Sequence, residues 1–238
     1  MDDKEITVVE HLEELRRRLI ICVVSVILGA GLCYLVVKRI ADLLARPVGN
    51  LVFLSPTEAF VTYLKLSLIS GVFLASPIVL YQLWRFVSVA LKGDEKKSLL
   101  IFAPFSFILF VGGVVFAYFF ILPLGMDFML GFATDTLRPM ISFSSYVSFA
   151  GMFLLAFGVV FQLPLVMMFL TKIGIISPKF LRKKRRYAIL IIFIVSAILT
   201  PPDVITQALM AGPLVVLYEI SIILSNFVSP LRIGRPSE

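Results

Sequence analysis

Long uncharged apolar segments are the feature of this sequence that most restricts its fold. Four of them cover residues 19–37, 66–84, 99–126 and 139–171. A helix needs about 20 apolar residues to cross the hydrocarbon of a bilayer. With 60% hydrophobic and only 16% charged residues, the chain has too little polar surface for a soluble domain. We therefore predict a multispanning membrane protein.

Two shorter apolar segments follow, at residues 187–202 and 204–218. Only sixteen residues separate Arg186 from Asp203, which is about 24 Å of helix. The sequence TPPD, which starts at Thr200, resembles a helix start, with Thr as the N-cap, proline at the first helical position and an acid in the first turn. These features favour two short spans, and thus six transmembrane helices in all.

The predicted fold is an all-α polytopic bundle that forms a single membrane domain over residues 1–238. Five prolines within or near the ends of apolar segments predict kinked helices and a concave bundle. We expect an amphipathic cytoplasmic helix over residues 1–18 and a structured extracytoplasmic cap over residues 38–65, where the sequence SPTE from Ser55 to Glu58 has the form of a capping box. The predicted spans are residues 19–37, 66–90, 99–124, 146–171, 187–202 and 204–225.

The basic residues predict the orientation of these spans. Sixteen of the 22 Lys and Arg residues fall in the N-terminal segment, the second and fourth connections and the C-terminal tail, whereas five fall in segments of the opposite side. The positive-inside rule then places both termini in the cytoplasm. The net charge of +7 is thus mainly a topology signal, and we expect no nucleic-acid partner. No cleavable signal pattern precedes the first span, so we expect that span to be a permanent anchor.

Cysteine and histidine usage argues against an enzyme. Cys22 and Cys33 are eleven residues apart, about 16 Å on one helix, and cannot form a disulfide. His11 is the only histidine in the sequence, so zinc-protease motifs and paired haem ligands are absent. No phosphate-binding loop follows the pair Gly112-Gly113. We expect no catalytic residue, no cofactor and no metal.

Two groups of polar residues are candidates for function. The deepest polar residue in the predicted membrane is Gln162, for which a satisfied interhelical hydrogen bond is the simpler interpretation and contact with a substrate helix the alternative. Acids also interrupt the basic cytoplasmic segments, notably Glu14 and Glu95. Spacing alone favours an i,i+4 pair of Glu14 with Arg18, and a cap of the third helix by Asp94 and Glu95. The alternative is that the two carboxylates converge to bind guanidinium groups, since arginine pairs bidentately with carboxylate.

Several segments, in this order along the chain, resemble the TatC family, the membrane receptor of the twin-arginine protein translocase. They are HLEELRRRL from His11, ASPIVLYQLWRFVSVAL from Ala75, AYFFILPLG from Ala117, FGVVFQLPL from Phe157, SPKFLRKKRRYAIL from Ser177 and LTPPDVITQALMAGPLVVLYEI from Leu199. The resemblance covers nearly the whole chain.

The resemblance implies a core receptor component that binds the twin-arginine signal peptides of folded precursor proteins at the cytoplasmic face. It also implies export driven by the proton-motive force, with TatA and TatB as partner subunits. We further expect a homo-oligomer within the complex, in the cytoplasmic (inner) membrane of a prokaryote.

The resemblance also implies site residues. Signal-peptide binding is expected at Glu14, Glu95, Arg16 and Phe86. Transport-related polar or structural roles are expected at Gln162, Asp203 and Pro47, to which the capping position adds Glu58. The family usually has an acid where this chain has Gln162, so we do not expect proton relay there.

Two other functional classes are alternatives. A small secondary transporter predicts charged or broken-helix sites at the midplane and inverted repeats, and the sequence has neither. An intramembrane enzyme needs a nucleophile and a base that the residue counts do not supply.

Overall fold

The computed structural model describes residues 8–89, 93–134, 139–200 and 203–227, without the side chains of residues 8, 89 and 93–101. Within these ranges the chain is helical apart from its turns and connections and an isolated bridge between Val52 and Ser142. The helices are α1 (Val8–Leu35), α2 (Val37–Ala45), α3 (Pro56–Val89), α4 (Gly93–Phe116), a π-helix (Ala117–Ile121), α5 (Leu122–Leu130), α6 (Phe143–Val160), α7 (Leu163–Lys172), α8 (Pro178–Lys183), α9 (Arg185–Leu199) and α10 (Val204–Asn226).

Five of the described helical segments are long and apolar enough to cross a membrane, and they confirm an all-α membrane protein. The α9 helix, at the position of the predicted fifth span, has 15 residues and a length of about 22 Å. That is less than the hydrocarbon thickness of about 30 Å, so six spans and their orientation stay predictions. The five segments are Val9–Leu35, Pro56–Ser88, Phe102–Leu130, Phe143–Lys172 and Val204–Asn226.

The capping box at the start of α3 forms as the sequence indicates. The backbone N–H of Glu58 donates to Ser55 Oγ at 3.2 Å, and α3 begins at the proline between them. The Glu58 carboxylate accepts the backbone N–H of Leu54 at 2.7 Å. The return bond therefore reaches one residue further back than a standard capping box.

The start of α10 differs from the prediction. Asp203, and not Thr200, is the N-cap: its carboxylate accepts the N–H of Thr206 at 2.7 Å, and the helix begins at Val204. Thr200 instead ends α9, where its hydroxyl donates to the carbonyl of Ser196 at 2.8 Å. The prediction was wrong because a carboxylate both accepts first-turn N–H groups and favours the positive end of the helix dipole. The two intervening prolines lie outside the described residues.

Proline affects the helices unequally. Pro77, Pro104 and Pro213 lie inside continuous helices. Pro164 follows a break between α6 and α7, where residues 161–162 form a turn. A proline has no N–H to donate to the carbonyl four residues earlier, so the helix opens at this point.

Residue contacts divide the chain into two compact units, residues 1–108 with 138–151 and residues 109–137 with 152–238. In the first, α1 and α3 run antiparallel, and their backbones approach closely where the last third of α1 meets the middle of α3. A Cβ added to Gly71 would lie 2.5 Å from the backbone nitrogen of Ala30, and one on Gly29 would lie 2.9 Å from the carbonyl oxygen of Gly71. The absence of side chains at these two glycines lets the two backbones touch.

In the second unit, aromatic and apolar side chains pack around Phe157, which is fully buried. Its ring lies 6.3 Å from that of Phe116 and 6.4 Å from that of Phe161. Helix α10 packs against α7, α8 and α9. The Tyr218 hydroxyl donates to the carbonyl of Leu181 at 2.9 Å and joins α10 to α8.

The close approach at Gly71 leads to a stability prediction. We expect Gly71→Ala to lower the free energy of unfolding by about 1–3 kcal/mol, because the added methyl overlaps backbone atoms that cannot move independently. Gly31→Ala on α1 is the matched control, since a Cβ there meets nothing within 4 Å. Thermal unfolding in detergent, followed by the fluorescence of Trp84, measures both variants. Equal melting temperatures for the two variants would contradict the prediction.

Candidate functional site

The predicted signal-contact residue Glu14 lies at the α1–α3 interface. Its carboxylate forms an ion pair with Arg18, one turn later on α1. Nη1 of Arg18 also donates to Oε1 of Gln82 on α3 at 3.1 Å. The i,i+4 pair that spacing favoured is therefore present, and a third residue ties it to the neighbouring helix. The Glu14 side chain stays 32% exposed, so it is also accessible from the protein surface.

Arg18 is unusually buried for an arginine. Only 6% of it is exposed, and its Nε atom is buried without a hydrogen-bond partner among the described residues. A buried cation is costly unless it is paired. Glu14 is its only described ion-pair partner, so removal of that carboxylate affects the packing of α1 as well as its surface charge.

An aromatic contact continues this interface toward the start of α1. The rings of His11 and Phe86 stack with centroids 4.6 Å apart and planes 29° apart. His11, Glu14 and Arg18 follow i, i+3, i+7 spacing, and Gln82 and Phe86 are four residues apart, so each set lies on one helix face. We call these five residues the α1–α3 polar end.

The other two predicted signal-contact residues, Arg16 and Glu95, are not seen in contact with Glu14 in the part of the chain that the structure describes. Arg16 is exposed and lies on a different face of α1 from Glu14. Glu95 falls within α4, but its side chain is outside the described part of the chain. Convergence of Glu14 and Glu95 therefore stays a prediction.

Glu58 organises the opposite end of α3. Besides the N–H of Leu54, its carboxylate accepts the hydroxyl of Ser142 at 2.6 Å and the N–H of Ser144 at 3.3 Å. Beside it, the N–H of Val52 donates to the carbonyl of Ile141 at 3.0 Å, and the Val52 carbonyl accepts from Phe143 at 2.8 Å. Glu58 thus joins the segment before α3 to the segment that leads into α6.

Two more hydrogen bonds hold α6 at this end of the first unit. Lys65 Nζ donates to Ser148 Oγ at 2.8 Å, and the buried Tyr146 hydroxyl donates to the carbonyl of Leu44 at the end of α2. Pro47 is half-buried in the turn that follows α2, two residues before Gly49, whose φ of 80° suits glycine. Pro47 therefore lies in the turn that ends α2.

The two predicted transport residues in the second unit both have local contacts. Gln162 is half-buried at the break between α6 and α7, and its amide nitrogen lies 3.5 Å from the carbonyl of Gly158, one turn earlier. Asp203 is the N-cap of α10. Two further polar contacts join helices here: Gln207 donates to the Phe193 carbonyl at 2.9 Å, and Arg185 pairs with Glu219 at 2.6 Å.

Metal chemistry finds no support in the part of the chain that the structure describes. There, no three or more histidine, cysteine, aspartate or glutamate side chains form a group that could hold a metal ion.

Comparison with known proteins decides the family. The family model described as "Sec-independent protein translocase protein (TatC)" matches residues 10–213. The chain belongs to the TatC family. It is 47% identical to the protein TatC of Carboxydothermus hydrogenoformans over 97% of both chains, and 39% identical to TatCd of Bacillus subtilis over 98% of this chain and 96% of that one. A crystal structure described as "Twin Arginine Translocase Receptor- TatC" superimposes with a TM-score of 0.84 at 42% identity, covering 92% of this chain and 99% of that one.

The TatC resemblance drawn from the sequence motifs is therefore confirmed. This chain is a multi-pass membrane protein and a core component of the twin-arginine translocase. Members of the TatC family are components of a protein translocase, and the family is not a known class of enzyme.

The motif resemblance pointed to Glu14 and Phe86 but not to the contacts that position them. The sequence gives no direct sign that Arg18 is buried or that Gln82 is its acceptor. The available signal is the helical spacing of His11, Glu14 and Arg18, which places one aromatic, one acid and one base on the same face of α1. In this TatC-family chain that face packs against α3.

The Glu58 contacts lead to a prediction for hydrogen exchange in the segments that precede α3 and α6. We expect Glu58→Ala to accelerate hydrogen–deuterium exchange at the backbone amides of Leu54 and Ser144, because both lose their acceptor. The control is Asp42→Ala, which removes an exposed acid from α2 in the same part of the chain. Exchange measured by mass spectrometry in lipid nanodiscs tests both variants, and unchanged protection in Glu58→Ala would refute this role of the carboxylate.

Proposed function

We propose that this protein is the signal-peptide receptor of a twin-arginine translocase. In this proposal it binds the twin-arginine signals of folded precursors at its cytoplasmic face and supports their export, driven by the proton-motive force, with TatA and TatB. The observation that carries the proposal is Glu14, which is partly exposed and paired with Arg18, itself bonded to Gln82 of α3, in a chain similar to solved twin-arginine translocase receptors.

Local charge reversal explains how such a site selects its ligand. The segments assigned to the cytoplasm carry sixteen Lys and Arg residues, a field that repels a signal with two adjacent arginines. A carboxylate in that field attracts a guanidinium only where it is accessible. We propose that Glu14 and Glu95 supply this attraction, with Phe86 stacked on His11 one turn before Glu14, and Arg16 on a different, exposed face of α1.

The packing also argues for a docking role over a channel role. A folded cargo domain of 100 residues has a radius of gyration of about 13 Å, and α1 and α3 touch at backbone distance. This subunit acts in our proposal as a platform, while TatA and TatB, together with further copies of this chain, form the passage.

The proposed setting is the cytoplasmic membrane of a prokaryote, with six spans and both termini inside. The basic segments support the orientation. The 15-residue α9 supports a short fifth span, which would thin the bilayer locally.

Substitution of the two acids tests the binding site. We expect Glu14→Gln and Glu95→Gln each to weaken binding of a twin-arginine peptide roughly 30-fold, the loss of about 2 kcal/mol typical of a charge-assisted hydrogen bond. Glutamine is preferred to alanine at residue 14 because its amide oxygen still accepts from Arg18. Fluorescence anisotropy with the full chain in nanodiscs measures the affinity.

Glu13→Gln is the matched control for these acids, since Glu13 is exposed on the same helix turn. We expect its affinity for the peptide to equal that of the wild type. Normal crosslinking of a twin-arginine signal to the protein with both Glu14 and Glu95 substituted would contradict the site assignment.

Substitution of Gln162 tests a transport role separate from signal binding. We expect Gln162→Leu to insert and fold normally and to bind the signal peptide, yet to transport a folded reporter several-fold more slowly, because α6–α7 loses its polar group at the helix break. Gln162→Glu, which restores the acid usual in the family, is expected to retain transport. Unimpaired export by Gln162→Leu would support the simpler packing interpretation.

A further inference from the structure

We infer that Arg18 and Gln82 are positioning residues that give Glu14 its preference for arginine over lysine. The inference rests on the proposed function and concerns how the site distinguishes two cations of equal charge. Neither residue is required to touch the signal peptide. Both act by fixing the carboxylate that does.

The contacts hold one side of the carboxylate and leave the other open. Arg18 donates to Oε1 of Glu14, while Oε2 has no hydrogen-bond partner among the described residues. About a third of the side chain is exposed. Because Oε1 keeps a second lone pair beside its bond to Arg18, an incoming guanidinium can still donate to both oxygens without displacing Arg18.

Gln82 makes this arrangement rigid. The Arg18 guanidinium is planar, and its two terminal nitrogens are divided between Gln82 on α3 and Glu14 on α1. Arg18 is buried, so it has little space in which to rotate. The orientation of the Glu14 carboxylate is thereby linked to α3, which packs closely against α1.

A fixed carboxylate favours arginine for a geometric reason. Arginine binds through parallel N–H groups in one plane, whereas the lysine ammonium is a compact point charge that approaches from many directions. Fixing the carboxylate reduces the entropy lost when a bidentate arginine complex forms. The same fixing increases the affinity for a lysine ammonium less, because the ammonium needs no particular carboxylate orientation. A mobile Glu14 would bind both cations weakly and with little preference.

The burial of Arg18 also argues against a role as a competitor that the signal peptide displaces from Glu14. A residue that merely occupied Glu14 until the signal arrived would need to swing away on binding. Arg18 is 6% exposed and retains a second bond to Gln82. The sign of the mutational effect separates the two roles, since loss of a competitor would tighten binding.

The test measures the ratio of two dissociation constants for the full chain in lipid nanodiscs. The probes are a fluorescent peptide with two adjacent arginines before an apolar segment and the same peptide with both arginines replaced by lysine. We expect Gln82→Leu to lower the lysine-to-arginine ratio of dissociation constants by about fivefold, which corresponds to about 1 kcal/mol. The change should come from weaker binding of the arginine peptide. Leucine has a similar size and leaves no buried amide.

Arg18→Gln should change the ratio in the same direction. Arg17→Gln is its matched control, because it removes one positive charge from an exposed position on the same helix turn. We expect Arg17→Gln to change the affinity for both peptides by the same factor, so that the ratio of the two dissociation constants stays at the wild-type value. If Arg18→Gln does not fold, as judged by its melting temperature, Gln82→Leu decides alone.

Two results would overturn the inference. One is a wild-type ratio in a folded Gln82→Leu protein, and the other is tighter binding of the arginine peptide by Arg18→Gln. A wild-type protein without arginine preference, whose affinity is also unaffected by Glu14→Gln, would instead refute the proposed function and the inference together. Loss of preference in Glu14→Gln with retention in Gln82→Leu refutes only the inference.

Discussion

The lack of water at membrane depth is the constraint on which this structure depends. A backbone group in hydrocarbon has no solvent partner, so the chain satisfies it within helices. Polar side chains follow the same rule: the hydroxyls of Thr62, Thr171 and Ser221 each donate to a carbonyl of the preceding turn of their own helix. Each of these hydroxyls thereby has an acceptor within its own helix and needs no partner from a neighbouring helix or from lipid. A smaller number of long-range polar contacts, such as Arg18 with Gln82 and Lys65 with Ser148, then join one helix to another.

Helix α3 carries such contacts at both of its ends. At one end Glu58 joins the segments before α3 and before α6, and at the other Gln82 holds Arg18 and, through it, Glu14. Between them Gly71 lets α1 approach at backbone distance. The apolar middle supplies close packing, and the polar ends fix the register. The proposed signal-peptide site thus lies on a closely packed helix pair and not on a loop.

The candidate site was predictable in part. A motif resemblance pointed to Glu14, and the i,i+4 spacing pointed to its pair with Arg18, two interpretations that the sequence left as alternatives. The structure contains the pair and also leaves the carboxylate partly exposed, so the two interpretations are compatible. The stacking of His11 on Phe86 was not predicted, because it depends on which face of α1 meets α3. The N-cap of α10 was misassigned since threonine and aspartate both suit that position, and local spacing does not decide between them.

The sequence by itself determined the membrane class, the helical content and the family, because apolar length, helix-start patterns and ordered motifs are local properties of the chain. It also determined where acids interrupt a basic background. Only the tertiary structure decided that Arg18 is buried, that Gln82 receives its second donor and that Glu58 joins two distant segments. Those outcomes depend on the register of packed helices, which is set by small residues such as Gly29 and Gly71 and by contacts between residues more than sixty positions apart.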